Sequence, residues 1–138
     1  MNKLLTSICQ VLFLALTTPL MAAESGPGPQ GSTPYYVIEE PFTINFQNQT
    51  QEKMRYLQIR VALKSDEPAI IESARVNLPM IQDALRILFT DQNYDTVSSV
   101  SGREQLQQQA TDRIRSILQQ ETGSNGLEQV YFTRFILQ

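Results

Sequence analysis

Hydrophobic and polar positions alternate in three stretches of the chain and recur at helical spacing in two others. Residues 35–38 are Tyr35-Tyr36-Val37-Ile38, and after Glu39-Glu40-Pro41 the run Phe42-Thr43-Ile44-Asn45-Phe46 alternates apolar and polar. This spacing predicts a strand, with Pro41 at an edge or bend because proline cannot donate to a ladder. Residues 47–53 are polar and read as a hairpin loop. The next strand has the clearest alternation: Leu57, Ile59, Val61 and Leu63 on one face, Gln58, Arg60 and Lys64 on the other. The short loop before it predicts antiparallel pairing.

A helix is predicted to open at Ser65-Asp66-Glu67-Pro68, with Asp66 as cap and Pro68 in the first turn. Ile71, Ala74, Leu78, Ile81, Leu85 and Leu88 then form one apolar stripe, and Pro79 is expected to kink the helix. Residues 91–100 read as a connection. Ser101-Gly102-Arg103-Glu104 has the spacing of a capping box, with Ser101 as the cap. The second helix carries Leu106, Ala110, Ile114, Ile117 and Leu118 on one face, and Gln105, Gln107, Gln108, Gln109 and Gln119 on the other. That glutamine face reads as solvated, or else as a polar surface on which copies pack. Gly123-Ser124-Asn125-Gly126 stops the helix. Residues 127–138 read as a last strand with apolar side chains on both faces, hence a central strand or one whose outer face meets a partner. The fold class is therefore α+β, in the order ββααβ: a sheet of three to four strands with two helices on one face. A sheet face left open and partly apolar predicts self-association.

Residues 1–23 pair Lys3 with an apolar run over residues 4–16, broken by Thr17-Thr18-Pro19 and closed by Leu20-Met21-Ala22-Ala23. Before the break the run covers roughly 20 Å as a helix, short of the ~30 Å hydrocarbon core. It reads as a signal peptide or as an N-terminal membrane anchor, and either places the body outside the cytoplasm. Residues 24–34, rich in Gly, Pro and Ser, read as a flexible linker. Residues 35–138 form the third segment, a single folded domain.

Composition narrows the chemistry. The chain has no histidine and one cysteine, Cys9, inside the N-terminal apolar run. A Ser-His or Cys-His nucleophile pair and a His- or Cys-ligated zinc site are thus excluded. The net charge is −3 and the basic residues are scattered singly, which argues against nucleic acid. Carboxylate chemistry would have to draw on Glu39-Glu40, Asp66-Glu67 or Asp83. Adjacent strand residues point to opposite faces, and Asp66-Glu67 read as helix-start residues, so no catalytic pair converges. The expectation is no enzyme, no cofactor, no metal and no small-molecule substrate.

The segments also resemble a known family, the flagellar basal-body-associated protein FliL, over residues 36–138. The matching residues are Tyr36 with Pro41-Phe42; Arg55-Tyr56-Leu57-Gln58; Leu78-Pro79 with Ile81 and Asp83-Ala84-Leu85; Tyr94 leading to Ser101-Gly102-Arg103-Glu104 and Leu106; and Val130-Tyr131-Phe132-Thr133-Arg134-Phe135 running to Ile136-Leu137-Gln138. The resemblance implies a stomatin-like domain on the periplasmic side of the bacterial inner membrane, at the flagellar basal body. It also implies association with ion-driven stator units, a role in torque, swimming, swarming and chemotaxis, and assembly of copies into rings. Family members usually carry an uninterrupted membrane span, whereas residues 1–23 are short and broken. The competing reading is a generic periplasmic binding or chaperone-like module with no flagellar role. The partner interface is unknown at this level.

Overall fold

The computed structural model describes residues 34–46 and 55–138. The expected signal peptide or anchor, most of the linker, and the hairpin loop at 47–53 lie outside the described residues. Three strands lead the domain: β1 (Tyr35–Val37), β2 (Phe42–Asn45) and β3 (Tyr56–Lys64). Four helices follow, α1 (Pro68–Val76), α2 (Leu78–Thr90), α3 (Tyr94–Ser98) and α4 (Val100–Thr122), and β4 (Gln129–Leu137) closes the chain. The α+β class and the small four-stranded antiparallel sheet agree with the reading from sequence.

The central strand is β3. It pairs through Lys64 to Ala62 with β1 and through Ile59 to Tyr56 with β2, so these two lie end to end along one edge. Strand β4 pairs along the other edge. The expected first strand is thus two short ones. Pro41 stands in the bend between them, and the ladder is carried across by the Ile38 amide, which donates to the Val61 carbonyl at 2.9 Å. β4 is not a central strand: among the described residues it pairs only with β3.

A bulge accounts for the apolar residues on both faces of β4. Val61 opposes Phe132, but Arg60 opposes Arg134, which leaves Thr133 as an extra residue. The extra residue shifts the alternation by one. Val130, Phe132, Phe135 and Leu137 therefore all stand opposite the buried Leu63, Val61, Ile59 and Leu57. Tyr131, Arg134 and Ile136 fall on the outer face.

The helices cover the core face. The expected kink at Pro79 is a full break: α1 ends at Val76 and α2 starts at Leu78, with Pro79 in its first turn. Asn77 bridges the two helices, its side-chain amide donating to the Ser73 carbonyl at 2.9 Å and its own carbonyl accepting from the Ile81 amide at 3.1 Å. The break rotates the stripe. Ile70, Ala74, Ile81, Leu85 and Phe89 are buried, while Ile71, Leu78 and Leu88 are half-buried.

The connection at 91–100 holds a further helix, α3, capped by Asn93, whose Oδ1 accepts from the Thr96 amide at 2.8 Å. It buries Val97. The cap of α4 is Ser99, not Ser101: its Oγ accepts from the Gly102 amide at 3.0 Å. Gly102 serves close approach, since a Cβ there would overlap the Thr96 carbonyl oxygen. Glu67, not Asp66, is the N-cap residue of α1, and it makes no side-chain cap hydrogen bond. The inner face of α4 is as expected, with Leu106, Ala110, Ile114, Ile117 and Leu118 buried. Gly123, at φ 74°, ends that helix in the left-handed region.

Phe89 is fully buried and lies edge-on to Phe42 at 5.3 Å and to Phe132 at 5.7 Å, tying α2 to both edges of the sheet.

Candidate functional site

Three regions bear chemistry. The first is a latch where the end of β3, the start of α1 and the Gly126–Glu128 segment meet. Lys64 Nζ donates to Glu128 Oε2 at 2.6 Å, and Glu128 Oε1 accepts the Asp66 amide at 2.9 Å. Ser65 Oγ donates to the Gly126 carbonyl at 2.9 Å and accepts the Glu67 amide at 3.2 Å. From α4, Arg115 reaches the carbonyls of Leu127 at 2.8 Å and Glu128 at 2.6 Å. Buried Thr111 accepts the Val130 amide at 3.1 Å and donates to the Gln107 carbonyl at 2.9 Å. The hydrogen bond from Lys64 holds the Glu128 carboxyl below its ordinary value, and the same bond raises the Lys64 ammonium. These bonds join the connection between β3 and α1 to the one between α4 and β4.

The second region is a groove on the solvent side of the helices, between α2 and α4. One part, of about 530 Å³, is lined by Leu88, Gln92, Gln109, Asp112, Arg113 and Ser116. A neighbouring part, of about 210 Å³, is lined by Met80, Asp83, Ala84, Ile87, Arg113 and Ile117. Met80 and Ile87 are 46% and 53% exposed. The glutamine face of α4 borders this groove and is mostly exposed, with Gln107 half-buried. Gln108 donates to Asp112 within the helix at 3.1 Å.

The third region is the outer face of the sheet. Register puts Tyr35, Val37, Thr43, Asn45, Tyr56, Gln58, Arg60, Ala62 and Lys64 on it, with Tyr131, Arg134 and Ile136 from β4. Tyr35, Val37 and Tyr56 are 47%, 43% and 42% exposed. Tyr35 stacks at a tilt on Tyr131 with 5.9 Å between centroids. This face is more polar than an open apolar sheet: its aromatic residues are tyrosines, and arginines stand between them.

The carboxylates singled out in the sequence do not come together. Glu39 and Glu40 are exposed in the β1–β2 bend, Asp66 and Glu67 sit in the latch, and Asp83 borders the groove on α2. Among the described residues there is no cluster of three His, Cys, Asp or Glu side chains able to hold a metal ion. Among them, too, no helix is long and apolar enough to cross a membrane. The sequence reading missed the juxtaposition of Arg60 and Arg134. Only the bulge aligns them, and the one signal for it was the break in alternation at Phe132-Thr133-Arg134-Phe135.

The chain matches the family model described as flagellar basal body-associated protein FliL over residues 35–138, from the first strand to the last residue. It is also 27% identical over 103 residues to the flagellar protein FliL of Aquifex aeolicus (strain VF5), an alignment covering 75% of this chain and 60% of that relative. The match thus spans less than two thirds of the relative's length.

Proposed function

The chain belongs to the FliL family of flagellar basal body-associated proteins, and from that premise we propose that it is a non-catalytic accessory of the flagellar motor. Residues 1–23 export it or anchor it at the inner membrane, residues 24–34 act as a tether, and residues 35–138 work on the periplasmic side. There the domain associates with stator units and with further copies of itself. It biases the stator between active and inactive states through its different affinity for the two, and so modulates torque, swimming, swarming and chemotaxis. The observation carrying this reading is that the family match covers every described strand and helix, from β1 through β4. Its polar clusters are spent on joining segments of the chain, whereas the outer sheet face and the α2–α4 groove remain exposed for partners.

The test is deletion of the gene in its own host, with torque read from tethered cells and expansion measured on swarm plates. Loss of torque or swarming, restored by a wild-type copy, is the expected result. Unchanged motility would count decisively against the reading.

A further inference from the structure

Arg60 on β3 and Arg134 on β4 are directly opposed in the antiparallel register, and both belong to the outer face. Like charges opposed across strands repel, and an anion between them removes that cost. Other arginines of the domain are engaged elsewhere. Arg55 lies over the Tyr94 ring at 3.8 Å, Arg75 over Tyr36 at 5.1 Å, Arg86 over Phe42 at 6.0 Å and Arg103 over Phe135 at 5.6 Å. Arg115 is held by Asp112 and two carbonyls. Among the described residues neither Arg60 nor Arg134 makes an ion pair. The Nε of Arg60 is shielded from solvent and has no hydrogen-bond partner among the described residues. A buried donor left unsatisfied is costly, more so when it carries charge.

We propose that Arg60 and Arg134 form a docking point for a carboxylate on an acidic segment of a partner protein, received against the outer face of the sheet. A guanidinium fork matches the planar, two-oxygen geometry of a carboxylate, and the register sets two arginines opposite one another on this face. In the register Tyr131, Ile136 and Val37 take neighbouring outer-face positions, and Tyr35 stacks on Tyr131; aromatic and apolar side chains together with arginine are the composition of protein interfaces. An anionic lipid surface fits less well. The chain's net charge is −3, so its long-range field repels such a surface, and Lys64 on the same face is already neutralised by Glu128. The inference rests on the reading of this domain as a docking module.

The test uses the nitrogen-15-labelled full chain in phosphatidylcholine nanodiscs and follows the arginine Nε–Hε signals. The probes are a capped hexaglutamate peptide, a capped hexalysine peptide, inorganic phosphate, and discs in which phosphatidylglycerol replaces part of the lipid. Hexaglutamate should move the Arg60 and Arg134 signals while hexalysine leaves them in place. Arg134→Gln, at an exposed position, should keep the amide spectrum and weaken hexaglutamate binding about tenfold, the loss of one charge-assisted contact. Arg134→Lys, which keeps charge but not the fork, should fall between. The proposal is overturned if hexaglutamate leaves both signals unmoved, or if phosphate or phosphatidylglycerol moves them as strongly. Both results are read without reference to motility, so this proposal and the motor assignment can fail separately.

Discussion

The two faces of the sheet are built from the same strands yet obey different rules. On the core face, β3 offers Leu57, Ile59, Val61 and Leu63, all fully buried, and the bulge in β4 brings four apolar residues opposite them. On the outer face the same strands offer tyrosines, glutamine and two opposed arginines. One face is optimised for self-consistency, since every side chain there is matched within the chain. The other contains an arrangement that is unfavourable in isolation, a like-charge pair and an unsatisfied donor. The lesson is that stability and recognition are separated here by strand alternation. Substitutions on one face should therefore change folding, and those on the other should change association.

The largest effect is expected at Phe89, where the core face meets α2. Phe89→Ala removes a fully buried ring touching Phe42 and Phe132 and should cost about 3–5 kcal/mol in denaturant unfolding. A loss below about 1 kcal/mol would mean that the aromatic cluster is not the keystone of the core. Next is Thr111→Val, which leaves the Val130 amide without its acceptor and should cost about 1–3 kcal/mol.

The bulge allows a sharper test. Removing Thr133 keeps every core residue on its face, so stability should stay within about 1 kcal/mol of wild type. Removing Tyr131 also absorbs the extra residue and keeps Val130, Phe135 and Leu137 inward, but it turns Phe132 outward and Thr133 inward, taking the ring off Phe89, and should cost about 3 kcal/mol. Equal effects of the two deletions would refute the phase-shift account of β4.

The smallest effect concerns the latch. The Glu128 carboxyl is held below its ordinary value of 4.5, so its contribution is full above that value and is lost as pH falls through the lowered folded-state value. The Lys64 ammonium is raised above 10.5, so its share is full below that value and is lost as pH rises through the raised one. Unfolding midpoints of wild type and Glu128→Gln should differ most at neutral pH and converge in acid. Divergence in acid would contradict this assignment.

Much of the fold was legible because periodicity reports burial directly. The face of β3, the inner stripe of α4 and the stop at Gly123 were all readable. What escaped depended on contacts distant in sequence or on competing local signals. Pro79 marked an interruption, but a kink and a full break look alike in sequence, and here Asn77 closes α1 on the Ser73 carbonyl and opens α2 by accepting from the Ile81 amide. Ser101 had the capping-box spacing, yet Ser99 caps because Gly102 allows α3 to approach the start of α4. The outer-face arginines lie 74 positions apart in numbering, and only the register of β3 with a bulged β4 brings them together.

The most direct test of the division between faces is imaging in the native host. Chains labelled with a fluorescent protein, wild type or carrying Arg60→Gln with Arg134→Gln, would be scored for coincidence with marked basal bodies at matched abundance. Wild type should form foci at basal bodies and the double variant should give diffuse signal, with unfolding stability unchanged to within about 0.5 kcal/mol. Wild-type signal away from basal bodies, or foci retained by the double variant, would contradict that division.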